Sequence, residues 1–223
     1  MNSDKVFYIL VTAFTVLIFG GILFFATKPS SSNSGTTLDV SSKEYPVDEL
    51  VGSSPNTSAD VKKASVVIVE FGDFQCPACK TYWSDVVGIK EQFGDKVAVV
   101  YRQFPLTGIH GYAFDAAVAS EAAAKQGKFF EYHDALFKNQ TDDTNPLKKE
   151  DYISFAKDLG LNVEQFEKDL ADDATKTEVR EDMEYGNTIR VNSTPTFFID
   201  GKRFEGGNLK EEINRIISSK SGE

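Results

Sequence analysis

The stretch FGDFQCPACK, residues 71–80, decides how the rest of the chain is read. It holds Cys76 and Cys79, the only two cysteines among 223 residues, with Pro77 and Ala78 between them. Three chemistries compete for such a pair: half of a metal site, a structural staple, or a couple that cycles between dithiol and disulfide. Structural zinc takes four ligands, and the chain offers only His110 and His133 as further soft donors. A disulfide closing so short a loop constrains the unfolded chain little. Redox cycling remains, with no metal and no other cofactor expected.

Outward from this stretch the pattern is strand, helix, strand. SVVIVEFG (65–72) is a nearly continuous β-branched run, as in a strand buried on both faces. KVAVVYRQF (96–104) reads the same way. Between them Cys79, Trp83, Val86, Val87 and Phe93 recur at helical spacing, and Gly94 is a natural terminator. This order gives a right-handed crossover between parallel strands. The period then changes, and five segments between residues 111 and 189 fit helices, one of them starting at Asn162 with Gln165 three positions on. TFFID, a turn at DGK and a second short strand follow. The closing helix starts at Leu209, capped by Asn208, with Ile213, Ile216 and Ile217 on its apolar face.

Four motifs, VEFGDFQCPAC, YRQFPLTGIHGYAFDAAVASEAA, KFFEYHDALF and STPTFFIDGK, resemble the DsbA-like thiol–disulfide oxidoreductases of the thioredoxin superfamily over about residues 61–217. The fold class this implies is α/β: a thioredoxin-like fold with an inserted all-helical domain at about 108–189. The domain as a whole is expected at 63–220, preceded by a Ser/Thr/Pro-rich tether at 28–62 and a membrane anchor at 1–27. The anchor reading rests on residues 6–26, which carry no charge and as a helix span roughly 30 Å, a bilayer's hydrocarbon core. A cleavable signal peptide is the alternative, but its apolar region is normally shorter, and no small-x-small site precedes TKPSSSNSG. The tether lacks the apolar residues needed to offset ordering entropy, though VDELVGSSPN near its end has some capacity to pack.

Net charge is −10, which excludes nucleic acid and anionic lipid as natural partners. Residues 142–184 hold 14 acidic and 6 basic side chains, so most of the imbalance sits on one segment, read as a solvated helical face.

Exchange requires a thiolate. Cys76 stands where strand becomes helix, with Pro77 at the first helical position, so unpaired backbone N–H groups and the helix dipole favour charge on its sulfur. Cys79, one turn on, faces inward. Cys76 is therefore the expected exposed nucleophile, Cys79 the resolving thiol, and Cys76–Cys79 the redox-active disulfide. The resemblance implies a buried acid beneath the resolving thiol at Glu70; an edge-facing, solvated Glu70 is the plain alternative. It also implies a cis proline at Pro195, with Thr194 presenting its backbone to an extended substrate. Phe74 and Gln75 are expected at the mouth of the site. His110 is read as packing or helix-start chemistry, and the N-x-S/T triplets at Asn56, Asn139 and Asn192 as chance.

The implied function is disulfide formation in exported polypeptides by a monomer, with the catalytic domain extracytoplasmic on a single-pass anchor and a quinone-linked membrane partner as reoxidase. Ala78 departs from the family's strongest oxidants, which carry histidine there, so weaker oxidising power is expected. A disulfide reductase or isomerase, or a non-enzymatic chaperone-like holder, are the alternatives.

Overall fold

A computed structural model describes residues 43–54 and 56–222. The expected anchor and most of the tether lie outside these residues. Among the described residues no helix is long and apolar enough to cross a membrane.

Strand β1 (Val66–Gly72) is buried at every position, and its sequence explains why: both faces are covered. Side chains alternate across a strand. Val66 and Ile68 face helix α2 (Pro77–Phe93) and the closing helix α8 (Leu209–Ser221), in a cluster with Val86, Ile89, Leu209 and Ile213. Val67, Val69 and Phe71 face the other way, onto Tyr45, Leu50 and Phe198. Strand β2 (Val97–Gln103) pairs parallel with β1, in a register that sets Glu70 opposite Tyr101. Strand β3 (Thr196–Ile199) pairs antiparallel with β1, and the short β4 (Lys202–Arg203) with β3, giving the order β2-β1-β3-β4. The expected crossover is present. Helix α2 ends at Gly94, whose φ of 50° is left-handed.

Five helices separate β2 from β3: α3 (Ala113–Ala124), α4 (Phe129–Lys138), α5 (Lys149–Asp158), α6 (Val163–Ala171) and α7 (Asp173–Thr188). Alanine-rich α3 is the hub, packed on the other four; its small side chains let four neighbours approach at once. Asn162 caps α6 by accepting the Gln165 N–H at 3.0 Å, and Asn208 caps α8 by accepting the Glu211 N–H at 3.0 Å. Helix α7 returns the chain to the sheet so closely that a Cβ on Gly186 would strike the Phe104 ring.

The tether boundary needs correction. Residues 43–54 and 56–58 belong to the packed body, as a strap that includes the short helix α1 (Val47–Val51). The Tyr45 N–H donates to the Gly201 carbonyl beside β4 at 2.9 Å. At the opposite edge, the Tyr101 N–H donates to the Asn56 carbonyl and the Ser58 N–H to the Val99 carbonyl, both at 2.9 Å. Between these anchors Leu50 is fully buried, which stabilises by about 1.5–3 kcal/mol. The polar composition hid this because a few apolar side chains, Tyr45 and Leu50 with Val47 and Val51 beside them, suffice when the strap also bonds through its backbone and the Asn56 amide.

Candidate active site

Cys76 is the N-cap of α2, in extended conformation, and Pro77 opens the helix. Its N–H donates to the Asp73 carbonyl at 3.1 Å, and its Sγ lies 3.2 Å from the Thr194 carbonyl. Both thiols are free. A hydrogen bond from the Cys79 side chain is the main cause holding Cys76 down to about 5; burial opposes it, and the Thr194 side chain and the Cys79 and Ala78 backbone N–H groups add to it. Roughly a hundred thiolates per thiol follow at pH 7. Cys79 behaves oppositely. It has no exposed surface, and burial first, then its bond to Cys76 and the nearby Glu70 charge, push its thiol well above the ordinary value. Cys76 is less open than expected: 6% of it is exposed, because the Phe74 turn and the Thr194 loop crowd it.

Glu70 shares the α2-facing side of β1 with Ile68, so the pleat aims it beneath the helix that carries the thiols. It is 1% exposed, and its Oε1 has no hydrogen-bond partner among the described residues. Burial, and then the Cys76 charge, raise it to about 8. The edge-facing alternative is excluded. Tyr101, opposite in register, is also fully buried, with its OH unpartnered among the described residues, and fills the space a side chain on Gly72 would need.

The Thr194–Pro195 peptide is cis, and Thr194 is 8% exposed with a hydroxyl that has no hydrogen-bond partner among the described residues. Phe74 is not at the mouth. It is 3% exposed, stacked on Tyr101 at 5.2 Å between centroids and packed on Phe137, because burying the ring outweighs presenting it to solvent. Gln75 is partly exposed beside the thiol, but its amide is engaged: Oε1 accepts the Tyr112 N–H at 2.7 Å, and Nε2 donates to Asp143 at 3.0 Å.

Sequence reasoning missed Asp73. This buried carboxylate accepts the Gln75 N–H through Oδ1, and through Oδ2 meets the Leu106 N–H and His110 Nδ1 at 2.8 and 2.7 Å. It ties the cysteine turn to the loop after β2, and gives His110 a structural partner. The available signal was an acid between Gly72 and Phe74, in an otherwise apolar turn. No cluster of three or more metal-ligating side chains occurs among the described residues.

Fold and site together define a thioredoxin-like protein with a five-helix insertion between β2 and β3. Residues 61–219 match the thioredoxin family, and the chain belongs to it. Similar solved structures include oxidised BdbD from Bacillus subtilis, 24% identical, TM-score 0.65, covering 75% of this chain and 93% of that one. α-DsbA2 from Wolbachia pipientis, a thiol–disulfide exchange protein, is 19% identical with TM-score 0.66, covering 78% and 90%. Among curated relatives, the Na(+)/H(+) antiporter NhaA 1 of Mycobacterium sp. (strain KMS) is 43% identical over 145 residues, 64% of this chain and 23% of that protein. NhaA 1 of Salinispora arenicola is 35% identical over 158 residues, 71% and 24%. The chain thus spans about a quarter of the length of these curated relatives.

Proposed function

We propose that the protein is a thiol–disulfide oxidoreductase that forms disulfides in exported polypeptides through Cys76 and Cys79. The observation that carries this reading is the asymmetry of the two thiols: one ionised at a helix N-cap, the other buried and held protonated above an unpartnered carboxyl. A substrate thiolate attacks Cys76 Sγ of the disulfide, a substrate–Cys76 bond forms, and Cys79 leaves as a thiolate. Glu70, protonated at neutral pH, gives Cys79 its proton. A second substrate thiolate then attacks the substrate sulfur; the substrate disulfide forms and Cys76 leaves as the stabilised thiolate. Two electrons have passed to the protein. Thr194 and Pro195 border Cys76, where an extended substrate backbone can pair.

A single-pass anchor at 6–26 and an extracytoplasmic domain suit a pair that needs an oxidising compartment, and a quinone-linked membrane partner would remove the electrons. In the antiporter relatives the matched stretch is under a quarter of the protein, so transport is no part of the proposal.

The test is the redox potential of the full chain in detergent, from equilibration with glutathione, alongside oxidation of a reduced, unfolded protein. A potential above about −180 mV with efficient oxidation is the expected result. A value near about −270 mV, that of a reductase such as thioredoxin, overturns the oxidase direction.

A further inference from the structure

The helical insertion carries a groove of about 310 Å³ that the exchange chemistry does not use. Its walls are apolar: Phe114, Val118, Leu147, Tyr152 and Leu170, with Tyr112 at one end. Tyr112 is 40% exposed, one of two large apolar side chains so open among the described residues; the other, Ile109, is three positions away. The groove is not remote from the chemistry. Tyr112, Leu147 and Tyr152 also line a narrow crevice with Phe74 and Gln75, and Gln75 immediately precedes Cys76. An extended chain leaving Cys76 across Gln75 advances about 3.3 Å per residue, so side chains a few residues from a substrate cysteine reach it.

The rim carries the opposite charge to the rest of the molecule. Lys148, Lys149 and Lys176 line the groove, and the Arg180 guanidinium stands over the Phe114 ring at 5.4 Å. These are four of the six basic residues in the acidic segment 142–184 of a chain with net charge −10. Lys149 is shared with Glu167 and Lys176 with Asp173, and Asp115 is the one carboxylate in the lining; Lys148 makes no ion pair among the described residues. Two of the cations are therefore drawn partly aside by neighbours, while Lys148 and Arg180 keep the rim basic.

Resting on the exchange reading above, we propose that this groove is a subsite for the polypeptide substrate and selects segments in which apolar anchors are flanked by acidic residues near the reacting cysteine. Apolar walls bury the anchors. The basic rim accepts Asp and Glu and repels lysine-flanked sequences, giving specificity by complementarity.

The test uses the full chain in detergent and synthetic dithiol peptides that differ only in flanks: Asp-Leu-Phe-Glu, Lys-Leu-Phe-Lys or Asp-Ser-Asn-Glu. The expected KM for the first is roughly tenfold below those of the others at low salt, and 1 M salt erodes the charge part of that preference. In the double variant Lys148→Glu/Lys149→Glu the order of acidic and basic peptides reverses, and in Tyr112→Ala the Leu-Phe advantage shrinks. Oxidation of dithiothreitol by each variant stays at the wild-type rate, which also reports that the fold is intact. Binding of the same peptides with serine in place of cysteine, followed by fluorescence anisotropy, reads the groove without the chemistry. Exchange without flank preference overturns the groove. Flank-selective binding without exchange upholds the groove as a binding site and sinks the exchange reading. A dimer that the double variant dissociates, with peptide preference unchanged, makes a second copy the occupant and also overturns the proposal.

Discussion

At the thiol end of the sheet, Glu70 is 1% exposed with Oε1 unpartnered; against the flank of β2, Glu121 is 3% exposed and accepts the Asn56 and Gln103 amides at 2.7 and 2.8 Å. Burial is the main cause raising both, Glu70 to about 8 and Glu121 to about 7. Their second causes part them. For Glu70 it is the Cys76 charge, which a redox event creates or removes. For Glu121 it is a hydrogen bond from Gln103, which pulls the other way and does not depend on the thiols. Glu121 also lines a polar cavity of about 230 Å³ with Arg102 and Asp182, themselves an ion pair. Equal burial thus meets two settings: a satisfied carboxyl fastens the strap to α3, and an unsatisfied one lies beneath the helix that carries the thiols.

The comparison breaks most visibly at the nucleophile. Cys76→Ser should lower exchange with a protein substrate by at least about a thousandfold, and should move the Glu70 titration downward while leaving that of Glu121 in place. Carboxyl NMR titration reads both, and a joint shift, or none, would show that the two acids are not differently coupled. Glu70→Gln comes next. Loss of the proton carrier should slow resolution at Cys79 by about a hundredfold, while alkylation of Cys76 at pH 6 changes little; equal slowing of both steps would mean Glu70 merely shapes the site.

The same variant carries a stability signature. A carboxyl whose folded value is raised from 4.5 to about 8 costs stability progressively as pH climbs through that window, and the cost is constant above it. Glu70→Gln removes the cost, so its unfolding free energy should match the wild type near pH 4 and exceed it increasingly up to pH 8, by on the order of a few kcal/mol. A constant difference across that range would contradict a buried titrating acid. Smaller still is Asn56→Ala, which leaves Glu121 one donor short. A destabilisation of about 1–3 kcal/mol, read from the urea midpoint at unchanged exchange rate per folded molecule, is the expected result; altered exchange would mean the strap communicates with the thiols.

For Cys76 itself, iodoacetamide reactivity of the reduced protein should half-titrate near pH 5, with Cys79 silent. Because this thiol is depressed, its contribution to the reduced state is complete above the ordinary value of 9.0 and is lost as pH falls through about 5. Half-titration near 8.5 would remove the helix-cap argument.

What sequence reasoning reached, and what it missed, divides along range. The β1–α2–β2 unit, the Asn162 and Asn208 caps and the orientation of Cys79 follow from period and position, so a local reading suffices. Glu70 was legible in part: its apolar neighbours Val69 and Phe71 favoured an inward acid, while an edge-facing, solvated one stayed open until the strand's place in the sheet was known. Arg102 and Gln103 were read as part of a uniformly apolar strand, yet they are polar and buried, because their side-chain partners arrive later on helices: Asp182 on α7 for Arg102, and Ser120 and Glu121 on α3 for the Gln103 amide. Phe74 depended on rings from α4 and β2 that no local window contains. The strap escaped for the related reason that backbone hydrogen bonds to Val99 and Gly201 leave no mark in composition.

The strap also bears on where the domain can be cut. The family match begins at residue 61, an obvious place to start a fragment. Such a fragment loses Tyr45, Leu50 and Asn56 together, and leaves the outer N–H and C=O groups of β2 and β4 facing solvent. Unpaired ladders are templates for other chains. A piece beginning at 61 should gather into soluble aggregates or swapped assemblies, whereas one beginning at 43 keeps both flanks closed.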